Sequence, residues 1–366
     1  MSNSKPKVLI LQGEVSTYRV ATYNIIADNF DVTVGYYDKD KSVEECRFKK
    51  IKLDSYKLGP FICIKSLRKF CKQFDVVIFM DDLHALSYCL LPFGPRKFKT
   101  ISWGFGLRAS YTRLYDVDRC HTFLDKVSQV VNESCDAIIF YMEKAKEFWR
   151  GTSFDMGKVF VAPNTTAVES IEIEPLRKKN LLFVGTLYEK KGIMALLQAY
   201  QSALCQSNNL PMLHIVGDGV DAEKLKQYVS NNGLSNRVIF HGAIYDEKKL
   251  AQHFRDALLC ISPHQAGLSV PKSMGYGVPF VTLRDAITGG EKYHITHGET
   301  GVFYEQDEDL VSIILDAASS PEKYVKLGVN AKAYYDNTAT PKHMAQGAID
   351  AINFVLNRLY GGTIAD

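Results

Sequence analysis

The stretch 257–282 constrains the fold of this chain most strongly, because it predicts a strand, a glycine loop, a helix and a second strand in immediate succession. Residues 257–261 are all apolar, and Pro263 ends this first strand because proline has no N–H to donate to a sheet. We expect a helix from about Val270, with Ser269 as its N-cap and Pro271 in its first turn. This order of elements is typical of a parallel α/β sheet.

The loop at 264–269 is also a candidate anion site. Free N–H groups and the positive end of the helix dipole converge where such a helix begins, which favours a phosphate there. An ordinary crossover with a glycine turn explains the same residues equally well, because a glycine-rich loop is a weak signal. The stretch alone therefore leaves both interpretations open.

The chain has 366 residues, which exceeds one ordinary core and suggests two domains of roughly 150–200 residues each. Strands and helices alternate twice along it. We predict an N-terminal domain at 1–164, a linker at 165–179, a second domain at 180–340 and a final helical segment at 341–366. Two such domains, each binding near the carboxyl ends of its strands, predict a ligand in the cleft between them.

Several classes of protein are excluded by what the sequence lacks. No apolar run reaches the roughly 18 residues of a membrane span, and the N-terminus has no signal-peptide pattern. The eight cysteines are scattered without zinc spacing, so we expect reduced thiols in a cytoplasm, no metal site and no cofactor. Basic residues are concentrated locally and no nucleic-acid motif is present, so a nucleic-acid partner is not expected.

The basic residues concentrate in segment 47–72, which holds nine of them and one acid, Asp54. Within it, residues 61–72 predict an amphipathic helix with its lysines and arginine on one face, and such a helix can lie on an anionic membrane. The alternative is an ordinary surface helix, which also has a charged face.

The order of motifs in the second half resembles a known family. These motifs are FVGTLYEKKG at 183–192, IVGDG at 215–219, VIFHG at 238–242, SPHQAGLSVPKSMGYGVPFVT at 262–282, TGG at 288–290 and HGETGV at 297–302. Over about 180–305 they resemble the retaining glycosyltransferases of family 4, which have the GT-B fold. The first half resembles the same group more weakly, through residues 18–20, 103–106 and 162–164.

This resemblance implies an α/β fold of two Rossmann-like domains facing across a cleft, with the C-terminal helix crossing back to the first. It implies transfer of a sugar from a nucleotide sugar, with retention and without a metal, to a glycan acceptor that is lipid-linked. Such an enzyme would build a surface polysaccharide, lipopolysaccharide or capsule, in the cytoplasm at the inner face of the membrane.

The resemblance also implies site residues. Lys191 matches the lysine that neutralises the departing diphosphate. Glu291, which follows Gly289-Gly290, is expected to face the donor sugar or the cleft. These two residues are the catalytic candidates. The alternative without a function is a solvated lysine at the start of a helix for Lys191 and a surface glutamate in a loop for Glu291. The remaining donor-side candidates are Gly185, Thr186, Gly217, Gly242, His264, Gln265, Gly267, Leu268, Ser269 and Lys272. The acceptor-side candidates are Gly13, Tyr18, Arg19, Trp103 and Phe105.

Three positions depart from the family pattern. His264 and Lys272 stand where the family has two glutamates, and lysine can only donate hydrogen bonds whereas the second glutamate normally accepts them from ribose. Phe105 replaces a histidine and cannot act as an acid or base. The alternative function is therefore a non-catalytic GT-B homologue that binds a nucleotide sugar or a partner enzyme.

Overall fold

The computed structural model describes residues 5–43, 45–109, 114–170 and 178–359. It divides into two compact units. Unit 1 comprises Met1–Arg108, Asp116–Asn164 and Pro341–Asp366, and unit 2 comprises Ala109–Tyr115 and Thr165–Thr340. No helix in the described ranges is long and apolar enough to cross a membrane.

Unit 1 is a parallel α/β domain. Its elements are β1 (Lys7–Gln12), α1 (Thr17–Asn29), β2 (Asp31–Tyr36), β3 (Lys49–Lys52), β4 (Ser55–Leu58), β5 (Phe61–Ile64), α2 (Leu67–Cys71), β6 (Val76–Met80), α3 (Leu86–Cys89), β7 (Lys99–Gly104), α4 (Phe123–Glu133), β8 (Ala137–Phe140), α5 (Ala145–Phe148) and β9 (Val159–Val161). Seven strands form one sheet in the order β3-β2-β1-β6-β7-β8-β9, and every pairing in it is parallel. The central strands are apolar on both faces, as expected of a sheet covered on both sides.

Unit 2 repeats this architecture. Its elements are β10 (Asn180–Val184), α6 (Ile193–Leu204), β11 (Leu213–Val216), α7 (Ala222–Asn231), β12 (Val238–Phe240), α8 (Glu247–Asp256), β13 (Ala257–Ile261), α9 (Ser269–Gly275), β14 (Phe280–Leu283), β15 (Gly301–Tyr304), α10 (Asp309–Ser319) and α11 (Pro321–Thr338). The six strands are all parallel, in the order β12-β11-β10-β13-β14-β15.

Side chains alternate across the unit 2 sheet and so build a core on each face. Leu213 and Ile215 of β11 pack in one core with helix α6, whereas Leu182 of β10 packs in the other with Phe254 of α8. Helix α8 therefore covers the face of the sheet opposite to α6.

The final helix, α12 (Pro341–Leu359), belongs to unit 1 and packs on α1. The contact is close because Gly347 has no side chain: a Cβ there would overlap the carbonyl oxygen of Val161. Arg19 of α1 secures the same contact, since its guanidinium donates to the Met344 sulfur at 2.8 Å and to Asn164 Oδ1 at 2.8 Å.

The prediction of one amphipathic helix at 61–72 is wrong. Phe61–Ile64 forms β5, which pairs with β4 in an antiparallel hairpin, and only Leu67–Cys71 is helical. Ser66 separates the two with a left-handed backbone at φ 53°, which no helix interior tolerates. A short run of β-branched and aromatic residues favours a strand when a partner strand lies beside it, and β4 supplies that partner.

One smaller expectation also changes. Ser269 is the first residue of α9, whereas the N-cap position is taken by Leu268. Parts of the predicted linker are packed in unit 2: Thr165 donates to the carbonyl of Ala339, and Lys178 is buried with its amino group 3.4 Å from the carbonyl oxygen of Ala257. Residues 171–177 lie outside the described ranges.

Candidate functional site

The Lys191 amino group lies at the carboxyl edge of the unit 2 sheet, beside the end of β10. A Cβ added at Gly185 would lie 3.6 Å from the Lys191 nitrogen, in van der Waals contact, so the lysine amino group lies directly beside this glycine. Burial lowers the pKa of Lys191 to about 8, opposed by the negative charge of Glu291. The amino group is therefore desolvated, and the solvated-lysine alternative does not describe it.

A glycine holds Lys191 in this place. Gly192 has φ 70°, and a Cβ there would lie 2.6 Å from the His264 ring and 2.8 Å from Pro263. The His264 N–H donates to the Lys191 carbonyl at 3.3 Å, which ties the turn before α6 to the loop after β13. Only glycine satisfies both the backbone conformation and the close approach.

Glu291 is buried, with 5% of its surface exposed. Its carboxylate accepts hydrogen bonds from the Gly289 N–H at 2.8 Å and from the Thr288 hydroxyl at 3.1 Å. The surface-glutamate alternative is thereby excluded. The charges of Glu291 and Lys191 are close enough to influence each other, so the structure brings the two catalytic candidates to one region of unit 2.

The loop after β13 is held firmly except at Gly267. Gln265 is buried and its side-chain oxygen accepts a hydrogen bond from the Tyr188 hydroxyl at 2.5 Å, while Ala266 donates to the Ile287 carbonyl at 2.8 Å. A Cβ at Gly267 would meet no atom within 4 Å. The neighbouring Ser269 hydroxyl is buried without a hydrogen-bond partner among the described residues. The loop thus has open space at Gly267 and, two residues later, the Ser269 hydroxyl, for which no hydrogen-bond partner is found among the described residues.

Two of the three positions that depart from the family pattern, His264 and Lys272, are paired with carboxylates. The His264 Nε2 lies 2.9 Å and 3.0 Å from the Asp307 oxygens. Lys272 lies 2.7 Å and 2.6 Å from the oxygens of Glu247, the first residue of α8. A carboxylate is therefore present beside position 272, although it comes from a different element.

The other donor-side candidates lie at the carboxyl ends of neighbouring strands. Gly217, after β11, packs so tightly that a Cβ would overlap the Gly185 carbonyl oxygen, and its N–H donates to the Gly242 carbonyl at 2.8 Å. Hydrogen bonds of these glycines therefore connect the carboxyl ends of β10, β11 and β12. Thr186 is exposed and Leu268 is half-buried at the same edge.

The acceptor-side candidates of unit 1 divide into core and surface residues. Trp103 is 1% exposed and its ring packs edge-on against Tyr23, so it is part of the core. Arg19 is buried in the α1–α12 contact. The more accessible candidates are Tyr18, which is 38% exposed, and Phe105, whose ring contacts Tyr141 at 5.4 Å. Gly13 lies under Tyr37, whose hydroxyl would be 3.2 Å from an added Cβ.

Sequence reasoning missed two clusters. Asp81, directly after β6, is half-buried and accepts hydrogen bonds from Asn132 at 3.1 Å and Ser128 at 3.4 Å, and desolvation raises its pKa. Its position after an apolar strand is a signal that could have been used. The second cluster is the one group in the described part of the chain whose donor atoms could share a metal ion: His214, His241 and His253. His214 is in β11, His241 follows β12 and His253 is in α8, so no local spacing reveals them.

Comparison with known proteins agrees with this architecture. Residues 166–334 match the family model described as Glycosyl transferases group 1. An uncharacterized glycosyltransferase of Methanocaldococcus jannaschii, MJ1069, is 24% identical over 196 residues, which is 49% of this chain and 49% of that protein. The chain thus matches about half the length of this curated relative.

Solved structures cover nearly the whole chain. HepE of Anabaena, in complex with UDP, has a TM-score of 0.69 at 14% identity, covering 95% of this chain and 99% of that one. Sucrose-phosphate synthase of Thermosynechococcus elongatus has a TM-score of 0.72 at 16% identity, with 97% and 100% covered. WaaG, involved in lipopolysaccharide biosynthesis, has a TM-score of 0.62 at 14% identity, with 97% and 100% covered. The fold of this chain is therefore GT-B, and residues 166–334 match the glycosyl transferases group 1 family.

Proposed function

We propose that this protein is a retaining, metal-independent glycosyltransferase that moves a sugar from a nucleotide-sugar donor to a glycan acceptor. The observation that carries the proposal is the desolvated amino group of Lys191 beside Gly185 at the end of β10. Departure of a nucleoside diphosphate develops negative charge, and a cation positioned in a dry site stabilises that charge far more than water-exposed cations do. Binding of the diphosphate raises the pKa of the lysine again and so keeps it charged during the reaction.

The donor we propose is a uridine diphosphate sugar. Structures of HepE contain UDP, UDP with glucose, and UDP-glucose, which supports this class of donor for a chain of the same fold. In this chain the loop 242–246, with Tyr245 94% exposed, is the proposed seat of the base. Glu247 follows that loop directly, and its carboxylate can accept the ribose hydrogen bonds that Lys272 cannot.

We propose Glu291 as the carboxylate that faces the donor sugar. It is buried close to Lys191 and follows two glycines, at which a ligand can approach the backbone closely. The side chain keeps its hydrogen bonds to residues 288 and 289 when it is replaced by glutamine but loses its charge. Glu291→Gln should therefore bind the donor and turn it over more slowly, and full activity in this variant would remove the role.

The proposed acceptor is a lipid-linked glycan of surface polysaccharide biosynthesis, reached at the inner face of a membrane. The supporting surface is the β4–β5 hairpin of unit 1, where Tyr56, Leu58 and Phe61 are 50%, 58% and 37% exposed. Four lysines around it are exposed and have no ion-pair partner within the described ranges: Lys52, Lys57, Lys69 and Lys72. Exposed apolar side chains surrounded by lysines can insert into an anionic membrane leaflet, because the lysines attract the lipid headgroups.

The experiment that tests the function has two steps. A thermal-shift screen against UDP, GDP, dTDP and their sugars identifies the base, because a ligand that binds only the folded state raises the melting temperature. The purified protein is then incubated with the matching nucleotide sugar and no acceptor. Slow release of nucleoside diphosphate supports the enzyme, and no stabilisation by any nucleotide contradicts the donor site.

A second candidate function is a non-catalytic homologue that binds a nucleotide sugar or a partner enzyme. It is favoured by Phe105, which offers no proton donor or acceptor and packs on Tyr141. This candidate predicts stabilisation by a nucleotide sugar without any release of nucleoside diphosphate, even with added glycan acceptors.

A further inference from the structure

Three histidines of unit 2 lie in mutual contact on one face of its sheet. His214 Nδ1 and His241 Nε2 are 2.9 Å apart, and the two rings stack with their centroids separated by 5.0 Å. The His253 ring lies 4.3 Å from that of His241 and 6.3 Å from that of His214. One ring nitrogen from each residue falls within 4.8 Å of the others.

The fold places these side chains together through strand alternation. His214 sits between Leu213 and Ile215, which point into the α6 core, so it points to the opposite face. Residue 239 pairs with His214 in the parallel ladder, and His241 lies two residues further along and therefore on the same face. Helix α8 covers that face and contributes His253.

The chemistry of the cluster suits a metal better than a proton. Burial lowers the pKa values of all three imidazoles, and their mutual proximity lowers those of His214 and His241 further, the latter to about 4. Neutral imidazole is the form that binds metals. Three neutral rings with converging nitrogens match the requirement of an open three-histidine site, in which water fills the fourth position.

We propose that His214, His241 and His253 form a binding site for a divalent transition-metal ion of the zinc class. With metal–nitrogen bonds of about 2.0–2.1 Å in a tetrahedral site, the donor nitrogens would lie about 3.4 Å apart. The shortest observed pair, at 2.9 Å, and the 4.8 Å limit of the group lie on either side of that value. Binding therefore replaces the His214–His241 hydrogen bond and requires the rings to rotate until one nitrogen of each faces the ion.

An outer partner is available. The negative charge of Asp256, at the end of α8, acts on both His214 and His253. A carboxylate near a ligating imidazole fixes its orientation and raises its basicity. None of the three histidines belongs to the Lys191 region, so the metal site does not depend on the proposed sugar transfer.

The test uses the full-length protein after removal of metals with a chelator. We expect calorimetry with Zn²⁺ to show one ion bound per chain, and Co²⁺ to give the visible absorption of a nitrogen-ligated four-coordinate site. His253→Gln and His214→Gln each remove one of three ligands and should weaken binding by more than the roughly 10–100-fold typical of an outer-shell change. His253→Asp keeps an oxygen ligand at the same place and should retain part of the affinity.

Two controls separate this site from other donors. His84→Gln removes an exposed histidine of unit 1 that contacts Asp82, and should leave binding unchanged. Cys120→Ser with Cys205→Ser removes two exposed thiols and should do the same. The circular dichroism of each metal-free variant checks folding. Binding that is absent from the parent protein, that persists in both His→Gln variants, or that disappears with the thiols overturns the proposal.

Discussion

The Lys272 amino group lies between 2.6 Å and 2.7 Å from both carboxylate oxygens of Glu247, although the two residues are on different helices. The Tyr276 hydroxyl donates to the same carboxylate at 2.8 Å. The side chains are 17% and 33% exposed, so the pair is partly shielded from water. Lys272, which departs from the family pattern expected from the sequence, is thus paired with a glutamate contributed from α8.

This pair predicts an energetic coupling. In a double-mutant cycle with Lys272→Met and Glu247→Gln, urea denaturation should give a coupling free energy of about 1 kcal/mol. A partly buried ion pair contributes more interaction free energy than an exposed pair, because water screens it less. The exposed pair of Lys226 and Glu223 is the matched control and should give no measurable coupling. Equal, negligible coupling in both cycles would show that the pair does not form in solution.

Lys191→Ala is expected to weaken binding of the nucleoside diphosphate by about 10–150-fold, which corresponds to the roughly 1.5–3 kcal/mol of a charged hydrogen bond. The melting temperature should not fall, because the variant removes a desolvated charge. Lys190→Ala, at the exposed neighbouring position, is the control and should bind like the parent. Unchanged affinity in Lys191→Ala would show that the diphosphate is held elsewhere.

The pKa of Lys191, about 8 without ligand, predicts a pH dependence of binding. Below pH 8 the amine is already protonated and affinity for the diphosphate should be constant. Above pH 8 the free protein loses the proton that the complex keeps, so affinity should fall by up to about tenfold per pH unit. Lys191→Arg stays charged and should abolish this fall. Calorimetry between pH 7 and 9.5 measures the nucleotide affinity of the parent and of Lys191→Arg. Identical pH profiles for the two proteins would refute the role of Lys191 in binding the diphosphate.

Gly267 and Gly192 should respond oppositely to added side chains. A Cβ at Gly267 would meet no atom within 4 Å, so Gly267→Val should fold normally and lose donor binding by blocking close approach. Gly192→Ala forces a left-handed alanine against His264 and should lower the free energy of unfolding by about 1–3 kcal/mol. Thermal melts and nucleotide titrations distinguish the two. Normal donor binding by Gly267→Val would remove this loop from the donor site.

The hairpin predicts binding to anionic vesicles. Lys52→Glu with Lys57→Glu should abolish cosedimentation at low salt, since each basic residue near the surface contributes roughly 1 kcal/mol. Leu58→Asp should weaken it by removing an apolar contact. Lys326→Glu reverses an exposed charge in unit 2 and serves as control. Equal binding to anionic and neutral vesicles would contradict this proposal. So would a parent protein that does not bind anionic vesicles at low salt.

Elements with strong local patterns were predictable from the sequence. The strand at 257–261 is confirmed as β13 because five consecutive apolar residues can only be satisfied by burial on both faces of a parallel sheet. Two α/β domains follow from the repeated strand–helix alternation, and the family resemblance implied their Rossmann-like form. The proposed role of Lys191 came from the order of motifs, and its desolvation adds a physical reason for it.

Only the tertiary structure determined which residues that are distant in the sequence contact one another. Residues 61–72 have an acceptable helical pattern, yet β4 offers hydrogen bonds to Phe61–Ile64, and pairing overrode that pattern. The partner of Lys272 lies 25 residues away on another helix, and the three histidines come from a strand, the residue after a second strand, and a helix. Periodicity along a chain determines which elements form and which face is buried. The packing of elements against each other determines which charges and ligands meet, and no local pattern contains that information.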